Sequence, residues 1–145
     1  MENLKRYVKI FNIIQYLSLI GIIISIYLTW VHYTYVQIAC PETNVINCAK
    51  VLSSQYSTIF HIPLTLFGLF YFLVFFIFSF YKKYEKYLFI FSIIGVLSVF
   101  ALVYIEIGLI KAICLYCTSV HILVFLIFFI LLFKIFFAKR DHIKS

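Results

Sequence analysis

The chain has 145 residues, of which 66% are hydrophobic, 21% aromatic and only 12% charged, with a mean hydropathy of +1.12. Ordinary soluble domains carry about 45–50% apolar and about 25% charged residues, so these charges are too few to cover a globule. The composition excludes a soluble enzyme, a secreted disulfide scaffold and a nucleic-acid-binding domain, because no extramembrane segment could hold a core of its own.

Uncharged stretches cover residues 10–31, 62–81, 87–105 and 112–133. Each matches the roughly 20 apolar residues that carry a helix across about 30 Å of hydrocarbon. The expectation is one all-α domain over residues 1–145, an integral membrane four-helix bundle. The first stretch is too long for a signal-peptide core and lacks a small-x-small cleavage site, so it reads as a retained span. After it comes the loop 32–61, which holds Cys40 and Cys48. Asn47 is placed to cap a short helix through Ser54, and Val51, Leu52, Tyr56, Ile59 and Phe60 give that segment an apolar side. It is expected to lie across the mouth of the bundle as a lid. Pro63 opens the second stretch, where its missing N–H costs nothing. Gly21, Gly68 and Gly95 fall inside stretches and are read as points of close helix packing. Glu106, at the end of the third stretch, is read as a boundary residue with no role. The fourth stretch carries Cys114, Cys117 and His121.

The net charge of +7 reports topology rather than a partner. Lys5, Arg6 and Lys9 precede the first stretch, Lys82, Lys83 and Lys86 fill the turn after the second, and Lys134, Lys139, Arg140 and Lys144 follow the fourth. The other two connections hold only Lys50 and Lys111. Lysine and arginine are retained on the cytoplasmic side. Both termini are therefore expected inside a cell membrane crossed several times, with every cysteine on the extracytoplasmic, disulfide-permissive side.

Cys114-Leu-Tyr-Cys117 places two cysteines three residues apart on one helical turn, with Cα atoms about 5 Å apart and within disulfide range. A bridge that closes so small a loop barely restricts the unfolded chain. Its value is as a pair that opens and closes. Helix N-terminal N–H groups and the nearby Lys111 would both favour the Cys114 thiolate. Such a pair can exchange disulfides but cannot create oxidising power, because two electrons must leave to something else. In a bilayer protein with no flavin or haem domain, that points to a lipid-soluble quinone. His121, one turn deeper on the same face, is an ionisable group inside a span and a candidate to bond a quinone carbonyl or carry its proton. Two other readings stay open at this point. One is a soft-metal binding or transport protein using the four cysteines and His121; the other is a structural protein with two static disulfides.

Together, Cys40, then Cys48-Ala-Lys-Val-Leu-Ser-Ser, then His61-Ile-Pro-Leu-Thr-Leu-Phe-Gly68 with Tyr71, then Cys114-Leu-Tyr-Cys117, resemble the vitamin K epoxide reductase family, and most of all its compact bacterial and archaeal members. The likeness runs from about Tyr7 to Phe137. It implies a four-helix bundle around a quinone, of the ubiquinone or menaquinone kind, with the loop helix as lid. It implies that Cys114 and Cys117 are the catalytic pair, with Cys117 toward the quinone. Cys40 and Cys48 would be the shuttle pair that takes electrons from a thioredoxin-fold (DsbA-like) protein on the outer side. Ser54 matches a serine that the family keeps near the active site, and His121 falls where animal members have a quinone-bonding tyrosine. Leu64 departs from the family, standing where animal members have a quinone-bonding asparagine. Thr65 is the neighbouring hydroxyl that could replace it, on a different face of the helix. A DsbB-type oxidase also has four spans and four cysteines, but its C-x-x-C precedes its wider pair, the reverse of the order here.

Overall fold

The computed structural model describes residues 2–34 and 38–144. Among them, five α-helices follow in chain order: α1 (Glu2–Thr34), α2 (Cys48–Leu52), α3 (Leu64–Phe78), α4 (Glu85–Tyr104) and α5 (Leu115–Lys144). α4 runs on into a π-helical segment, Ile105–Ile110. Two short antiparallel strands, β1 (Thr58–Ile59) and β2 (Ile62–Pro63), form a hairpin between α2 and α3.

Among the described residues, three helices are long and apolar enough to cross a membrane: Val8–Thr34, Glu85–Ile110 and Leu115–Arg140. The second apolar stretch is helical for only 15 residues, about 22 Å at 1.5 Å per residue. It starts late because Pro63 is extended, with φ −64° and ψ 137°. It stops early because Phe80 and Tyr81 turn back on the carbonyls of Ile77 and Phe78. The lid helix is also shorter than expected. Ser53 caps α2 with a bond from its N–H to the Ala49 carbonyl, so Ser54 lies beyond the helix.

The long helices and α3 share one core, in which Ile14, Phe72, Phe75, Ile127 and Leu131 are fully buried. α1 packs chiefly on α3, and α5 on α4 and α1. Two glycines set these distances: a Cβ on Gly21 would stand 2.5 Å from the Phe72 ring, and one on Gly95 would stand 2.5 Å from the Tyr71 ring. At the end away from the cysteines, Lys134 is not the free flanking charge that its position implied. It is buried, bonds Glu85 at 2.9 Å and lies 3.8 Å from the centre of the Phe11 ring, tying α5 to α4 and α1.

A methyl group added at Gly21 must push back the buried Phe72, and overpacking of this kind costs about 1–3 kcal/mol. Gly21→Ala should lower the thermal unfolding temperature of the detergent-solubilised protein, whereas Gly108→Ala, where a Cβ meets nothing closer than 3.7 Å, should leave it unchanged.

Candidate active site

The site is built where the loop after α1 is sewn to the link between α4 and α5. Lys111 adopts a left-handed conformation, φ 55°, which ends the π segment and returns the Ala112 N–H to the Glu106 carbonyl at 3.2 Å. The chain then extends for long enough to pair with the loop. Ile46 and Ile113 form a parallel bridge, in which Ile113 N–H donates to the Val45 carbonyl (2.9 Å) and Asn47 N–H donates to the Ile113 carbonyl (3.1 Å). Asn47 also caps α2, its Oδ1 accepting the Lys50 N–H at 2.8 Å. One residue therefore both docks the loop and starts the helix that presents Cys48.

Cys40 and Cys48 form a disulfide with their Cα atoms 6.3 Å apart. Cys48 is fully buried, in one cluster with Ile110, Ala112 and Cys114, whereas Cys40 is half-buried at the rim. The Tyr116 hydroxyl donates to the Ala39 carbonyl at 3.0 Å, and its ring packs against Tyr27 of α1 at 5.4 Å between centroids. The loop cysteines are thus held from both sides.

Cys114 and Cys117 are free thiols, the first buried and the second half-buried. Cys114 occupies the position just before α5, where a side chain can accept a hydrogen bond from the third helical N–H. Its Sγ receives the Cys117 N–H at 3.4 Å, and its carbonyl accepts both the Thr118 N–H (2.9 Å) and the Thr118 hydroxyl (2.8 Å). Hydrogen bonding from the Cys117 thiol holds the Cys114 thiol below the usual cysteine range, against the opposing effect of burial. A lowered pKa of this kind marks a nucleophilic cysteine.

The other expected site residues are more dispersed. His121 is 7% exposed, one turn beyond Cys117 on α5. The Ser54 hydroxyl donates to the Val51 carbonyl at 2.8 Å and lines a cavity of about 440 Å³ with Val31, His32, Leu52 and Thr58, which Cys114, Cys117, His121 and Thr65 do not line. Thr65 is engaged with Thr29, their hydroxyls 2.9 Å apart. The structure thus brings the four cysteines together and does not gather His121, Ser54 and Thr65 into one pocket. It adds Ser25 Oγ and the Tyr71 hydroxyl, both buried with no hydrogen-bond partner among the described residues. Ser25 faces Gly68 of α3, and Tyr71 follows Gly68 by one turn. Buried polar groups are normally paired, so these two hydroxyls are left free to donate to a polar group brought into the interior. Ser25 did not stand out in the sequence, where a single polar residue in an apolar run carries no periodic signal, and Tyr71 figured there only as part of the family resemblance. Among the described residues, no group of three or more His, Cys, Asp or Glu could hold a metal ion.

Sulfur pairs arranged in this way pass electrons by thiol–disulfide exchange, and within so apolar a helical chain they define a membrane thiol oxidoreductase. The chain belongs to the vitamin K epoxide reductase family, whose family model matches residues 12–132. No individual curated protein matches it significantly.

Loss of the Asn47 cap costs about 1 kcal/mol of helix stability. Asn47→Ala should therefore fray α2 and speed reduction of the Cys40–Cys48 disulfide by dithiothreitol roughly fivefold, read by timed alkylation and mass spectrometry.

Proposed function

We propose that the protein oxidises an extracytoplasmic thioredoxin-fold protein and passes the electrons to a quinone, which supports disulfide formation outside the cell. In this reading α3 is a fourth, short crossing. Its 15 residues fall below full hydrocarbon thickness, and a short helix of this kind is accommodated by local thinning of the bilayer. The basic segments then lie on the cytoplasmic side, and all four cysteines outside.

The observation that carries the reading is the shared burial of Cys48 and Cys114 in one cluster, with Cys40 left at the rim. A thiolate of the partner reaches Cys40 and opens the Cys40–Cys48 bond. The partner's second thiol then releases the partner as a disulfide, leaving both loop cysteines reduced. Cys48 attacks Cys114 of the oxidised inner pair and frees Cys117. Cys40 then attacks Cys48, restoring the loop disulfide and releasing Cys114. The inner dithiol closes by losing two electrons and two protons to the quinone, so each cycle converts one partner dithiol and one quinone into one disulfide and one quinol. The structure has the loop pair bonded and the inner pair as free thiols, the state from which this last step begins. A bound quinone supplies the two-electron acceptor. The chain's own contribution is to exclude water and to offer the Ser25 and Tyr71 hydroxyls and His121 from the bundle interior.

Purified protein supplied with a reduced thioredoxin-fold donor should reduce ubiquinone or menaquinone analogues, and Cys117→Ser should abolish that turnover. Retained turnover in this variant would overturn the assignment. Loss of one hydrogen bond of about 1.4 kcal/mol corresponds to a tenfold change in binding. His121→Leu should accordingly raise the quinone KM about tenfold while leaving oxidation of the donor by the loop disulfide unchanged in a single turnover.

A further inference from the structure

Glu106 has no part in the relay as described, yet it is a carboxylic acid held 7% exposed at the end of an apolar helix. It has no ion-pair or side-chain hydrogen-bond partner among the described residues. Glu85 shows how the fold treats another acid on the same helix, which it pairs with Lys134 at 2.9 Å. An unpaired acid in such surroundings is costly and calls for a function. The backbone around it is also unusual. Glu106 lies in the π-helical segment, a geometry that is rare and concentrated at functional sites. Its carbonyl takes the N–H groups of both Lys111 and Ala112, so the turn leading to Cys114 is wound around this residue. Its neighbours Ile105 and Ile110 belong to the cluster that contains Cys48, Cys114 and Cys117.

The titratable groups on the elements packed against this segment are Lys50 on α2, Lys111 in the link, Tyr104 on α4, and Cys114, Tyr116 and Cys117 at the start of α5, with Cys48 of α2 joining them only when its disulfide is reduced. Lys50, Lys111 and Tyr104 are exposed. The buried members of this set are therefore sulfurs, not cations. Its negative charge opposes ionisation of Cys114, against the hydrogen bond from Cys117.

We propose that Glu106 and the Cys114–Cys117 pair form one proton-sharing unit, in which the Glu106 carboxylate takes up a proton as the pair ionises and releases it as the pair closes to a disulfide. Closing the pair breaks two S–H bonds and forms one S–S bond, and reduction of a quinone to a quinol forms two O–H bonds. Electrons and protons balance without another reactant. Glu106 holds one of the two protons between the sulfur that loses it and the oxygen that gains it. It is a positioning residue for charge, and the sulfurs remain the reacting atoms. This proposal rests on the quinone reading given above.

The test uses the full chain in detergent with all cysteines reduced. Iodoacetamide labelling of Cys114 and Cys117 is followed against pH by peptide mass spectrometry, alongside quinone reduction. Glu106→Gln is expected to move the labelling midpoint of the inner pair to lower pH by about one unit, about tenfold in thiolate fraction below the midpoint. Quinol formation should slow about tenfold in the same variant, and Glu106→Asp should restore both towards wild type. More acidic thiols together with slower turnover is a combination that a packing defect does not produce. Superimposable labelling curves for wild type and Glu106→Gln would overturn the proposal. A shifted curve with a wild type that reduces no quinone would instead overturn the quinone reading and leave the shared proton standing. Should Glu106→Gln not fold, infrared difference spectra of wild type decide the matter: a carboxylic-acid band must change between the dithiol and disulfide states, and an unchanged band sinks the idea.

Discussion

Everything the site does depends on the short parallel join between residues 45–47 and Ile113. The proposed relay requires the Cys40–Cys48 bond to open in every cycle. By the loop-entropy relation, a disulfide across a separation of 8 residues contributes about 2.5 kcal/mol, and that contribution disappears whenever the pair is reduced. The loop must then be held by bonds that do not change with redox state. The join supplies two backbone hydrogen bonds, Asn47 supplies the cap, and Tyr116 supplies the bond to Ala39. At about 0.5–1.5 kcal/mol each, these together are of the same size as what reduction removes. Cys48 therefore stays beside Cys114 in the state in which it has to attack.

The bundle beneath has a different problem. Lipid is as apolar as the side chains, so burial alone does not drive helices together, and close packing and polar links must do so. Two solutions appear at different depths. Midway, Gly21 and Gly95 let the rings of Phe72 and Tyr71 lie directly on neighbouring backbones. At the far end, the buried Lys134–Glu85 pair is covered by Phe11. Removing one member of a buried pair costs about 3–5 kcal/mol because the other charge is stranded. The polar link thus fixes which helices meet, while the outward faces, carrying Tyr16, Ile23, Phe70, Leu97 and Phe100, remain exposed and apolar.

Much of this was legible in the sequence, and what was hidden has physical causes. Lengths of uncharged chain are read reliably because a bilayer demands them, and the C-x-x-C and its order relative to the wider pair are visible as spacing. Helix ends are less visible. α1 starts at Glu2 rather than near residue 10, since polar residues continue a helix as readily as apolar ones do. α3 is shortened by a turn that has no glycine or asparagine to announce it. The hairpin before it places Phe60 and His61 at φ 51° and 66°, where Asn-Gly would be the usual signal. The proximity of Cys48 to Cys114 comes from pairing between distant segments, and three residues joined to one carry no pattern. Glu106 and Lys134 were read as boundary charges because sequence shows that a charge ends an apolar run, not whether the backbone then folds it inward.

The electrostatics of the inner pair follow from where it sits. A thiolate at the edge of hydrocarbon needs compensation, and a lysine is the obvious source, yet Lys111 is exposed and spends its conformation on the left-handed turn. The stabilisation comes instead from within the motif, through the Cys117 N–H at the start of α5 and the Cys117 thiol, where the helix end supplies partial positive charge. A fixed cation would hold a permanent thiolate and let electrons leave without protons. Hydrogen bonding opposed by burial favours ionisation without fixing it, and proton and electron transfer then stay coupled. A water-poor interior favours this coupling, because moving charge alone through low dielectric is costly, and an acceptor that takes two electrons together with two protons satisfies it.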